Sequence, residues 1–174
     1  MAGETARLVL EPLRAAHAPE MFVLLADRRL YGHVPHDPPA SEASLRIRYK
    51  RLERRRSPDG RQRWLNWALR RRADGVCVGR VEATACEDGV VWVAYMIGAE
   101  FWGHGYATEA MGRLVEGLFA EPGVRRLVAT VDTRNAGSMR VLEKLGFERG
   151  DMPHPAETIG GMPSDDWEYV LTRG

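Results

Sequence analysis

Cysteine is scarce in this chain: Cys77 and Cys86 are the two in 174 residues, with eight residues between them and no CxxC spacing. A disulfide framework and a thiolate metal site are therefore excluded, and both thiols are expected as reduced core residues. Long apolar runs are missing too. The longest, such as VVWVAYMIGA, falls far short of the ~20 residues that cross a bilayer, and MAGETARLVLE carries charges where a signal peptide would be apolar. The expectation is a cytoplasmic protein with no membrane partner. No HExxH or comparable ligand spacing occurs; His33, His36 and His154 lie in proline-containing loops, so no metal is expected. Lysine is nearly absent, with Lys50 and Lys144 the only two among 25 basic residues, a compositional preference that marks no site.

What remains is an ordinary globular composition, 44% hydrophobic and 28% charged with a formal net charge of +1. At this length a chain buries roughly 70% of the surface its unfolded form exposes. A single domain over residues 1–174 is expected. The charge is unevenly spread: twelve basic residues lie between Arg46 and Arg72, opposed only by Glu53 and Asp59, so that stretch is about +10 and the remainder about −9. Such a segment is either a solvated helix face or a surface for RNA, a ribosome or an acidic protein.

Periodicity and punctuation order the chain. RLVLEPL, residues 7–13, reads as a strand. A helix follows at 19–28 with Pro19 in its first turn, then a loop GHVPHDPPAS with three prolines. Ser41 caps a second helix to about residue 56, with Leu45, Tyr49 and Leu52 sharing one face. Strands at 63–70, 76–85 and 90–97, separated by ADG and EDG, form an antiparallel meander. Period 3.6 returns at 108–119, then a strand at 126–132, a helix at 136–145, and strands near Phe147 and at 167–172. The order β-α-α-β-β-β-α-β-α-β-β describes an α/β class, an α+β sandwich with a mixed, mostly antiparallel sheet and helices on both faces.

Chemistry concentrates at MIGAEFWGHGYATEA, where Gly103 and Gly105 precede the helix expected from Thr108. Glycines there let successive backbone N–H groups approach an anion such as a pyrophosphate. A dinucleotide fingerprint would need glycine at position 108 and a P-loop a GK[ST] ending; neither is present.

Together WGHGYATEA and NAGSMRVLEKLGF resemble the GCN5-related N-acetyltransferase (GNAT) family, specifically its Rim-type branch, which acetylates protein N-termini and diverse small amines. TARLVLEPL and the order of elements extend the resemblance over nearly the whole chain. It implies acetyl-CoA as co-substrate, gripped by a loop that maps to Trp102, Gly103, His104, Gly105, Tyr106, Ala107 and Thr108. Trp102 departs from the family's Gln or Arg, although backbone groups supply most of that grip. The preceding strand is expected to splay from its neighbour, with Met96 and Ile97 nearest the thioester. Asn135 and Ser138 match a family Asn that fixes the pantetheine and a branch Ser that donates to the departing thiolate; helix capping is the local alternative for both. Many relatives carry a Tyr acid where this chain has Leu142, which leaves Ser138 as the best candidate acid and Tyr106 as a weaker one.

Two glutamates compete as base: Glu82 on the second meander strand, and Glu157 in HPAETIGG, a segment resembling the branch's acceptor-facing stretch, with Glu157 slightly favoured. The family's loop between the first two helices puts Tyr31, His33 and His36 beside the acceptor. Trp64 and Trp67 point to opposite faces of one strand, so at most one lines the cleft. The implied reaction is direct acetyl transfer to a primary amine, a protein N-terminus or a small molecule, by a monomer or homodimer. The alternative is a non-catalytic acyl-CoA-binding or basic RNA/ribosome-binding module on the same fold.

Overall fold

The computed structural model describes residues 3–174. A mixed sheet of nine strands runs in the order β1-β2-β3-β4-β5-β6-β9-β7, with β8 also on β9. The strands are β1 (Gly3–Glu4), β2 (Leu8–Pro12), β3 (Arg63–Arg71), β4 (Cys77–Ala85), β5 (Val90–Ile97), β6 (Arg126–Asp132), β7 (Glu148–Arg149), β8 (His154–Ile159) and β9 (Met162–Thr172). The helices are α1 (Ala18–Leu25), α2 (Glu42–Leu52), α3 (Tyr106–Phe119) and α4 (Ala136–Lys144). All strand pairs are antiparallel except β5 with β6.

Alternation along the strands divides the core into two layers. Leu65, Trp67, Val81, Val93 and Leu127 face Met111, Leu114 and Leu118 of α3 and Leu142 of α4. From the opposite face Ala68, Cys77 and Met96 meet Met21, Leu45 and Tyr49 of α1 and α2. The helical spacing of Leu45 and Tyr49 buries one stripe of α2 and leaves its arginines wet, and Ser41 accepts from the Ser44 N–H to cap it.

Several boundaries differ from the sequence-based expectation. α2 ends at Leu52 rather than near Arg56, because Arg55 takes a left-handed conformation (φ 56°) and Arg56 bridges to Arg63, closing the loop onto β3. α3 begins two residues earlier than expected, at Tyr106. Two strands were not anticipated: β1, which pairs with β2, and β8, which forms a hairpin with a β9 five residues longer than its expected core. The β8–β9 turn is Gly160–Gly161, both at positive φ, the conformation a tight hairpin demands. Cys77 is buried as expected, and burial pushes its thiol up to about 11, whereas Cys86 stands half-buried at the β4–β5 turn rather than in the core.

One buried charge fixes the corner between β6 and α4. The Asp132 side chain is 1% exposed. It accepts from Arg134 Nε at 2.9 Å, Arg134 Nη2 at 2.7 Å, the Arg134 backbone N–H at 2.8 Å and Ser164 Oγ at 2.5 Å. The Arg134 guanidinium above all, helped by Ser164, outweighs burial and holds the carboxyl well below the usual carboxylate range. A depressed pKa stabilises the folded state fully above the ordinary carboxylate value of about 3.9, and that stabilisation is lost as pH falls through the lowered value. Asp132→Asn is therefore expected to cost ~2–4 kcal/mol at pH 7, read by urea unfolding, and visibly less at pH 3. An equal loss at both pH values would assign the corner's stability to packing instead.

Candidate active site

β5 is joined to β6 through only three residue pairs, Val90–Arg126, Val91–Leu127 and Trp92–Val128. Beyond them β6 continues along β9 to Asp132, while Val93 to Ile97 keep their β4 partners and have no strand partner on the β6 side among the described residues, where the Ile97 carbonyl alone is taken, by the Trp102 indole. The two parallel strands thus part, as the resemblance implies, and a backbone edge is left facing a cleft. An unpaired edge in a central strand requires a ligand or water to accept its hydrogen bonds.

The cleft ends at the foot of α3. After a turn of 3-10 helix at Ala99–Phe101, Gly103 and Gly105 take φ of 78° and 79°, and Gly105 is the N-cap. Their left-handed geometry leaves the backbone N–H groups of Gly103, His104, Gly105, Tyr106, Ala107 and Thr108 without an acceptor among the described residues. With the helix dipole behind them, these donors can hold an anion. Trp102, half exposed, donates its indole N–H to the Ile97 carbonyl at 2.8 Å and so ties the loop to the end of β5.

Arg7 braces this loop from β2's approach, a role the sequence did not signal because the contact spans about a hundred residues. Its Nη1 donates to the His104 carbonyl at 2.9 Å, its Nε to Glu109 at 2.6 Å, and its guanidinium lies 4.8 Å above the Tyr106 ring. Burial disfavours the Glu109 carboxylate, yet Thr5 and Arg7 together hold its pKa below the usual value. Tyr106 itself is buried, stacked on His104 and edge-on to Phe101, so the weaker candidate acid is enclosed by the loop's own bracing.

Across the cleft, α4 opens with Asn135, whose Oδ1 accepts from the Ser138 N–H at 3.1 Å; the capping role is realised and its amide N–H groups have no partner among the described residues. Ser138 Oγ accepts from the Tyr95 hydroxyl at 2.9 Å. Burial raises the Tyr95 phenol, partly offset by that bond, which keeps it a protonated donor. Tyr95 was not singled out from the sequence; its position on the free edge of β5, visible only once β5 and β6 part, gives it its reach. Leu142 is buried in the core and presents no acid.

The other face of β5 leads to a second group of expected residues. Tyr31 and His36, edge to face at 5.7 Å, line a cavity of about 220 Å³ with Arg48, Arg80 and Met96. Burial first, then the Arg80 and Arg48 charges, depress the His36 pKa. His33 reaches the end of β6, with Nδ1 3.5 Å from Asp132. Glu82 shares the face of Arg80 and accepts from its Nη1, whereas Glu157 is exposed on β8, within the register shift between Ala156 and Ile159, and has no partner among the described residues. Asp166, paired across the strands with Asp132, is a third carboxyl on that face; burial and Asp132 raise its pKa. Of the two tryptophans, Trp67 is core, while Trp64 is half-buried and donates to Gln62.

The basic stretch is paired at its two ends, while its basic residues from Arg48 to Arg61 have no ion pair among the described residues. Arg46 meets Glu42, Arg63 meets Glu121, Arg70 meets Glu11 and Glu20, Arg71 meets Asp74 and Arg72 lies near Glu4.

Comparison with known proteins bears on this geometry. The chain is 25% identical over 175 residues to the uncharacterized N-acetyltransferase YoaA of Bacillus subtilis, covering 98% of this chain and 96% of that one. Its fold resembles RimL, a ribosomal L7/L12 alpha-N-protein acetyltransferase solved with coenzyme A (TM-score 0.85, 17% identity, 99% of this chain and 98% of that one). It resembles the Vibrio cholerae spermidine N-acetyltransferase nearly as well (TM-score 0.80, 17% identity, 97% and 96%). Residues 7–148 match the acetyltransferase (GNAT) domain family, and the chain belongs to that family of acetyl-CoA-dependent enzymes.

Proposed function

We propose that the chain transfers an acetyl group directly from acetyl-CoA to a primary amine within the cleft between β5 and β6. The observation that carries this reading is the free edge of Val93 to Ile97, which runs into the unpartnered N–H groups of Gly103 to Thr108. Those donors fit a pyrophosphate, and the strand edge fits an amide-bearing pantetheine arm. Bound acetyl-CoA supplies an activated thioester. A backbone N–H near Met96 and Ile97 donates to its carbonyl oxygen as charge builds there. Asn135 fixes the arm, and Ser138, backed by the Tyr95 hydroxyl, hands a proton to the departing sulfur. Glu157, or else Glu82, takes the proton from the acceptor ammonium. Holding both reactants in one cleft supplies much of the rate. RimL and the spermidine acetyltransferase share this fold and differ in acceptor, so a protein N-terminus and a small amine both suit the reading, within the Rim-type branch or beside it.

Titration with acetyl-CoA, CoA and ATP tests the donor without knowledge of the acceptor. At ~100 times the dissociation constant, acetyl-CoA and CoA should each raise the melting midpoint by roughly 5–11 °C and ATP should not. No shift with any of the three would turn the reading to a non-catalytic module. Glu157→Gln should lower turnover by ~10²–10⁴ with acetyl-CoA affinity unchanged; wild-type turnover in that variant would transfer the base to Glu82. Tyr95→Phe should lower kcat by about tenfold while the KM for acetyl-CoA holds, and Ser138→Ala should lower it at least as far. A Tyr95 variant that loses acetyl-CoA affinity but not kcat would make the hydroxyl a packing element.

A further inference from the structure

The floor of the cavity beside β5 is formed by Arg80 and Met96, cross-strand neighbours on β4 and β5. The Arg80 side chain is only 9% exposed. A guanidinium taken out of water needs its donors satisfied, and an unpaired one is costly. Glu82 occupies Nη1 alone; Nε is buried with no partner, and Nη2 has none among the described residues. The Nε edge of a guanidinium matches a carboxylate in a two-bond fork. Arg48, exposed on α2, lines the same cavity and adds a second cation. Met96, meanwhile, is the residue expected nearest the thioester, so a group seated on Arg80 would lie next to the transfer point.

Resting on the acetyltransferase reading above, we infer that the acceptor is a primary amine that also carries a carboxylate, which Arg80 and Arg48 seat in the cavity beside Met96. One carboxylate that lines the cavity, Asp37, and one beside it on Arg80, Glu82, narrow the choice. They would repel a dianionic phosphate, but they suit a zwitterion whose ammonium lies on their side and whose single negative charge lies on the arginines. A polyamine has no group for Arg80. The volume of about 220 Å³ holds an anion and a few carbons, which matches either a free amino acid or the first residues of an acidic peptide.

Three acceptors separate these sources: L-alanine, the amidated dipeptide Ala-Glu, and L-alaninamide, which has no carboxylate. With acetyl-CoA saturating and CoA release measured, one of the first two should exceed alaninamide in kcat/KM by ~10–100-fold, the worth of a hydrogen bond to a charged group. Whichever is preferred identifies the source of the carboxylate. Arg48→Gln, which leaves no buried charge stranded, should raise the KM of the preferred acceptor about tenfold and leave both the alaninamide KM and acetyl-CoA binding unchanged. Arg80→Lys keeps the charge opposite Glu82 but loses the fork, and should raise the same KM without unfolding the protein. Alaninamide matching both carboxylate acceptors, a uniform effect of Arg48→Gln on all of them, or transfer to none by a protein that binds acetyl-CoA would overturn the carboxylate seat. Failure to bind acetyl-CoA in calorimetry is the separate result that removes the acetyltransferase reading itself, and this inference with it.

Discussion

Everything in the cleft depends on β5 and β6 parting after three residue pairs. A parallel pair in mid-sheet normally continues as long as both strands do, because every missed pairing strands a donor and an acceptor. Here β6 stays paired on its other edge with β9, whose register holds from Arg126–Thr172 to Asp132–Asp166, while the end of β5 keeps only β4, so the facing edges of both strands are left open. The cost of a half-paired central strand is tolerable only if something else completes it. The elements around the gap are arranged as such a completion needs, with free N–H groups at one end and α4 across from it.

In the proposed reading the same strand separates donor chemistry from acceptor chemistry by its pleat. Successive residues of β5 point to opposite faces, so Tyr95 goes toward α4 and bonds Ser138, whereas Met96 goes toward α1 and α2 and floors the cavity with Arg80. Two charged corners keep the walls in place from outside. Arg7 and Glu109 hold the loop and first turn of α3 to the β2 side of the sheet, and Asp132 with Arg134 and Ser164 sets the entry into α4. A one-residue slip in β5 would exchange the two faces and dismantle both halves of the site.

The parts legible in the sequence are those governed by local rules. The meander, β6 and all four helices follow from periodicity and turn residues, and the loop and helix motifs were enough to carry the family resemblance. Long-range contacts were not legible. Arg7 and Tyr95 look ordinary in their own segments and acquire roles only through His104, Glu109 and Ser138. The β8–β9 hairpin was missed for a different reason: β8 is exposed and polar, with a proline and no clean alternation, and only Gly160–Gly161 marked its turn. Glu82 had an undecided face because Val81 and Ala83 are apolar on one side and Arg80 gave no warning of being buried.

The basic stretch shows how folding redistributes charge that the sequence presents as one run. As a run it leaves a solvated helix face and a polyanion surface both open; in the fold Arg46, Arg63 and Arg70 spend their charge on carboxylates far away in sequence or on the next turn, while the basic residues from Arg48 to Arg61 have no ion pair among the described residues. Exposed pairs of this kind contribute little to affinity or stability and are screened by salt. Arg80 lies outside that stretch and adds nothing conspicuous to the composition. Its burial, its single hydrogen-bond partner among the described residues and its place opposite Met96 are what the inferred carboxylate seat rests on, because a charge exerts itself most where water has been excluded from it.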